Sequence, residues 1–82
     1  MIILPLIPKQ KKYLRDHNLN SKFLKQSALL LSNIYHPSLN VELLEPKSYG
    51  VYSFRLDIHY RVSFIFHSSE IIEIISITNH YR

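Results

Sequence analysis

Between Tyr52 and Phe66 the chain alternates apolar and polar residues twice, interrupted only by Asp57-Ile-His59. In an extended strand successive side chains point to opposite faces. Tyr52, Phe54 and Leu56 therefore share one face, while Ser53, Arg55 and Asp57 share the other. In the second run Tyr60, Val62, Phe64 and Phe66 oppose Arg61, Ser63, Ile65 and His67. Two such strands, so closely joined, form an antiparallel hairpin with both apolar sets on the same side. A three-residue connection at Asp57-Ile-His59 meets that demand by pairing Phe54 with Val62 and Leu56 with Tyr60. The same register sets Arg55 directly across from Arg61.

A third strand is expected over roughly 70–79. With a two-residue turn at Ser68-Ser69, Ser76, Thr78 and His80 join the arginine face, and a one-residue slip would move them to the core side. Ile71, Ile72, Ile74, Ile75 and Ile77 leave this strand apolar on both sides, which predicts burial on both faces. Upstream, Ile2–Ile7 reads as a first or edge strand interrupted by Pro5. Pro8 suits the first turn of a short basic helix running to His17, and Asn18 and Asn20-Ser21 supply a break and a new N-cap. A second helix over 21–35 spaces Phe23, Leu24, Ala28, Leu30, Leu31, Ile34 and Tyr35 helically, with Lys22, Lys25, Gln26, Ser32 and Asn33 on the polar face. His36-Pro37 ends it. A connection over 38–49 follows, with a short extended piece at 41–44.

The expected order is β-α-α-β-β-β. This is one α+β domain spanning 1–82, with a small antiparallel sheet and two N-terminal helices packed on one face. Phe23, Leu30, Leu31 and Ile34 are expected to pack against Phe54, Val62, Phe64 and the isoleucines of 71–77.

Ten Lys and Arg against six acidic residues give a net charge of +4, which favours polyanions or an acidic protein partner. The absence of cysteine excludes disulfides, thiolate catalysis and cysteine-based zinc sites, and fits a cytoplasmic location. The opening apolar run is too short to span a membrane and lacks the flanks of a signal peptide. Histidine spacing matches no zinc pattern, the single glycine leaves no phosphate-cradling loop, and no serine sits in a nucleophile elbow.

Like charges facing each other destabilise a sheet. Two guanidinium forks so placed can clamp a phosphate, or each can pair with Asp57, Glu70 or Glu73. The basic stretch Lys9, Lys11, Lys12 and Arg15 is a solvated face or a track for a nucleic-acid backbone. His80, near the arginines, has a side chain suited to proton transfer.

His36-Pro37-Ser38-Leu39, the stretch Gly50-Val-Tyr-Ser-Phe-Arg-Leu-Asp-Ile-His-Tyr-Arg-Val62, and the terminal isoleucines followed by His80-Tyr81 resemble, in order and spacing, the RelE/ParE superfamily of small bacterial toxins. The His-Tyr ending is similar to the YoeB type. The resemblance covers roughly residues 30–82, and many members cleave messenger RNA on the ribosome and are neutralised by a cognate antitoxin. It implies an antitoxin, the ribosome and mRNA as partners, with neither metal nor small-molecule cofactor and no membrane. Carried over by position, Arg61 stabilises the transition-state phosphate and Arg55 binds phosphate. His80 and Tyr81 act on the leaving group, and Glu42 or Glu45 corresponds to the glutamate that YoeB-type toxins use. The basic cluster typical of RelE reduces to Lys47. The resemblance leaves two other functions open: a ParE-type inhibitor of DNA gyrase, and a relative that only binds an antitoxin.

Overall fold

The computed structural model describes residues 1–79. Five strands, β1 (Ile2–Ile3), β2 (Glu42–Leu43), β3 (Tyr52–Arg55), β4 (Tyr60–Ser68) and β5 (Ile71–Asn79), form one sheet in the order β1-β5-β4-β3-β2. Helices α1 (Pro8–Asp16) and α2 (Asn20–Ser32) lie between β1 and β2, and single 3-10 turns occupy Pro37–Leu39 and Lys47–Tyr49. The α+β layout is the expected one, with two additions. Glu42–Leu43 forms a true strand on the β3 edge, and the sheet is mixed because β1 runs parallel to β5.

The hairpin register follows from the alternation. Phe54 faces Val62, Arg55 faces Arg61, and the Leu56 N–H donates to the Tyr60 carbonyl at 2.9 Å. Asp57 builds the turn: one carboxylate oxygen accepts the His59 and Tyr60 N–H groups at 2.7 and 2.9 Å, and the other accepts Lys22 Nζ at 2.7 Å. Burial pushes this carboxyl up, but the hydrogen bonds from Lys22 and the two N–H groups outweigh it and hold it below the ordinary carboxylate range. A lowered folded-state value means that Asp57 stabilises the fold fully above about pH 4 and loses that contribution as the pH falls through the folded value. Asp57→Ala should therefore cost about 1–2 kcal/mol at neutral pH. In urea denaturation at stepped pH, its deficit against wild type should shrink below about pH 4. A deficit that stays constant down to acid pH would remove the carboxylate from the turn's energetics.

The core gathers Leu14, Leu19, Leu30, Leu39, Phe54, Leu56, Val62, Phe64, Ile72, Ile74 and Ile77, with Phe23 and Ile34 packed at its margin. Phe64 is fully buried, with ring centroids of Tyr52, Phe54 and Phe66 at 5.7, 5.8 and 5.6 Å. Leu31 does not join the core: it is 40% exposed, and Leu24 is 71% exposed. The reason is that α2 ends at Ser32, before His36-Pro37, and turns its narrow apolar stripe through Leu30 instead.

β5 is not buried on both faces as expected. Ser63 pairs with Ser76 but Phe64 pairs with Ile74, so Ile75 is the extra residue of a β-bulge. The bulge switches the parity of the strand. Ile72 and Ile74 point inward before it and Ile77 after it, while Ile75 is 44% exposed. The Gln10 side-chain amide, buried beneath α1, donates to the carbonyls of Ile74 and Ile75 at 3.0 and 3.3 Å. It satisfies backbone oxygens that the irregular ladder leaves over. Asn18, in the left-handed conformation (φ 58°), closes α1, and the Leu19 N–H reaches back to the Leu14 carbonyl at 2.7 Å.

Candidate active site

The face of the sheet opposite the helices carries Arg55 and Arg61 from β3 and β4, with Ser53, Ser63, Ser76 and Thr78 around them. Two offsetting irregularities keep this last placement: His67 is an extra residue on β4 between Phe66 and Ser68, and Ile75 one on β5. Arg61 faces Thr78 and Ser63 faces Ser76, so the β5 hydroxyls share the arginine face, and the turn at Ser69-Glu70, one residue later than expected, preserves the same parity. The two serine hydroxyls are 2.5 Å apart.

Arg61 is held firmly. Its Nε donates to Ser53 Oγ at 3.0 Å, and one terminal nitrogen donates to the same hydroxyl at 2.8 Å and to the Asn40 carbonyl at 2.7 Å. Asn40 offers that carbonyl from a left-handed backbone (φ 44°) at the end of the Pro37–Leu39 turn. Partial burial pulls the guanidinium below its ordinary value, Glu42 works the other way, and Arg55 lowers it further. It remains charged at neutral pH.

The acids that could have paired with the arginines are engaged elsewhere. Asp57 takes Lys22, Glu70 takes the Met1 amino group at 3.1 Å, and Glu73 takes His67 at 2.5 Å. Among the described residues, no ion pair reaches Arg55 or Arg61. The facing like charges cost the fold roughly 0.2–1 kcal/mol.

Glu42, paired with Ser53 across the β2–β3 ladder, lies on this face and makes no salt bridge among the described residues. It lines a cavity of about 170 Å³ with Asn40, Arg55 and Arg61, and a second of about 260 Å³ with Arg61, Ser53, Ser63, Ser76 and Thr78. Glu45 and Lys47 lie beyond β2, exposed, and line neither cavity. His80 and Tyr81 lie outside the described residues. A larger cavity of about 510 Å³, between the chain after α2 and the rings of Tyr52 and Phe66, shares only Asn40 with the smaller arginine cavity.

No family model matches the sequence, and no curated protein matches it. Solved structures do. A YoeB/ParE toxin from Agrobacterium tumefaciens superposes with a TM-score of 0.70 at 18% identity, over 99% of this chain and all of that one. The YoeB-YefM complex from Staphylococcus aureus gives 0.60 at 26% identity, over 99% of this chain and 98% of that one.

This chain has the RelE/ParE-like toxin fold.

The arginine face belongs to the β2 to β5 part of a RelE/ParE-like sheet. The family pattern directed attention to Arg55, Arg61 and a glutamate before β3. It did not indicate Asn40, whose backbone oxygen anchors Arg61. The only sequence signal for Asn40 was an asparagine just after a Pro-Ser-Leu turn, where a left-handed residue is common. Among the described residues no group of three or more His, Cys, Asp or Glu could hold a metal ion, and no helix is long and apolar enough to cross a membrane.

Proposed function

We propose that this chain is the toxin of a toxin–antitoxin pair and that it cleaves messenger RNA on the ribosome by attack of the RNA's own 2′-hydroxyl. The observation that carries the reading is the cross-strand Arg55–Arg61 pair, without a salt bridge among the described residues and with Glu42 lining the same cavity. The two neighbours, named a YoeB/ParE toxin and a YoeB-YefM complex, support the same reading.

In the proposed reaction Glu42 takes the proton of the 2′-hydroxyl, and the freed oxygen attacks the adjacent phosphorus. The bond to the 5′ oxygen breaks, and that oxygen leaves with a proton supplied by His80 or Tyr81. The products are a 2′,3′-cyclic phosphate and a 5′-hydroxyl. Arg61 stabilises the charge that gathers on the phosphoryl oxygens. Ser53 and the Asn40 carbonyl hold its fork in place beforehand, so little reorganisation is needed as the charge develops. Arg55 binds the same or a neighbouring phosphate. A cytoplasmic antitoxin covers this face through acidic residues and, by binding only the folded state, raises the apparent melting temperature.

The test is primer extension on a defined mRNA in a ribosome-containing translation mixture. New 5′ ends should appear with the protein and vanish when its antitoxin is added. An intact mRNA together with inhibited gyrase supercoiling would replace this reading with the ParE type.

A further inference from the structure

A further cavity, of about 390 Å³, opens beside the arginine face and over the β3–β4 turn. Lys22 and Lys25 of α2 line it on one side, and Arg55, Asp57 and Ile58 of the hairpin on the other. Arg55, Asp57 and Ile58 also line the 170 Å³ cavity that holds Arg61. The two cavities are therefore neighbours, joined across one hairpin tip, and Arg55 belongs to both.

The charge balance along this groove is one-sided. Asp57 is its acid at the hairpin, and both carboxylate oxygens are occupied, by Lys22 and by the turn N–H groups. Lys22 is thereby neutralised. Lys25 and Arg55 have no ion pair among the described residues. The Gln26 amide donates to the Arg55 carbonyl at 2.8 Å and to the Ser38 carbonyl at 3.2 Å, which ties α2 to the end of β3. Lys25, the residue before Gln26, is thus carried on a segment fixed to the arginine strand. Ile58, 81% exposed, is a large apolar side chain that the hairpin places in water, and it lines both cavities.

Cations lining one groove together with an exposed apolar side chain match a single nucleic-acid strand, which offers successive phosphates and apolar base faces. We propose that Lys25 and Ile58 form a second nucleotide subsite. Lys25 holds a phosphate adjacent to the one at Arg55 and Arg61, and Ile58 packs against the intervening base. This rests on the reading that the arginine pair binds an RNA strand. It adds the direction in which the strand leaves the arginines, over the β3–β4 turn towards α2.

The experiment is fluorescence anisotropy of a short, dye-labelled 2′-O-methyl oligouridine, which cannot be cleaved, titrated at several salt concentrations. Lys25→Ala should flatten the slope of log affinity against log salt by about 0.7, and so lose about fivefold in affinity at 0.1 M salt. Ile58→Ala should weaken binding equally at every salt concentration with the slope unchanged. Lys11→Ala, an exposed lysine of α1 that lines none of these cavities, is the control and should leave both quantities as in wild type.

A wild type that does not bind the oligouridine overturns the subsite, as does a Lys25→Ala slope equal to wild type. Lys25→Ala that leaves RNA binding intact but weakens a poly-glutamate peptide would make the groove an acidic-protein site instead. The two readings fail separately. mRNA cleavage with a Lys25-independent slope removes the subsite alone. A Lys25-dependent slope without mRNA cleavage removes the nuclease reading alone.

Discussion

Arg61→Lys should abolish most growth inhibition and mRNA cleavage while the protein stays folded. In the structure the guanidinium uses its Nε and one terminal nitrogen on Ser53 and on the Asn40 carbonyl, which fixes the plane of the fork. An ammonium has no plane to fix and cannot donate two parallel hydrogen bonds to phosphate oxygens. The lysine variant therefore keeps the charge and loses its aim. Removing one positioned donor to a developing oxyanion costs on the order of 10²–10³ in rate, and Arg61→Ala should lose at least that. Stability should move in the opposite sense to activity or very little, because removing Arg61 also relieves its opposition to Arg55. His80→Gln, in the same assay, should slow cleavage by roughly 10²–10⁴-fold if that residue donates the proton. Primer extension and thermal melts on the same preparations separate these effects. An Arg61→Lys protein that cleaves at the wild-type rate would reduce the arginine to a simple counter-charge.

Phe64→Ala should unfold much of the protein. The ring is fully buried and contacts three other aromatic rings, at the point where β4 meets the bulge of β5. Emptying such a site costs about 3–5 kcal/mol, and a small domain has only about 5–15 kcal/mol in total. A fall of many degrees in melting temperature is expected, with a partial rescue by Phe64→Leu, which refills most of the volume. The substitution should act on cleavage only through the folded fraction. A stable Phe64→Ala protein with wild-type melting would mean that the packing of the sheet on α2 does not depend on this ring.

How legible these features were differs from element to element. Strict alternation with a three-residue connection leaves one register that puts both apolar faces inside, so the Arg55–Arg61 juxtaposition could be derived without coordinates. The two helices could also be placed from their spacing and from Asn18, although the end of α2 could not. Asn33 closes α2 in an extended conformation, with its side-chain oxygen accepting the Tyr35 N–H at 3.1 Å, and Leu31 is left outside the core. The spacing of apolar residues carries no mark of such a local bond.

The isoleucines of β5 were ambiguous for a definite reason. A bulge makes a one-sided strand look two-sided, because it changes parity halfway along. Gln26, placed on the polar face of α2, is buried instead, since its amide satisfies the Arg55 carbonyl oxygen of a strand far away in the chain.

The hairpin, its register and the pair of facing arginines are encoded locally, because they depend on periodicity along the strands and on the length of one turn. Which acids come near the arginines, and which are used up elsewhere, depends instead on long-range packing. Glu42 reaches the face because β2 pairs with β3, and Asp57, Glu70 and Glu73 are removed by partners up to 69 positions away along the chain. Such pairings depend on how distant segments pack, and residue spacing along the chain does not encode them.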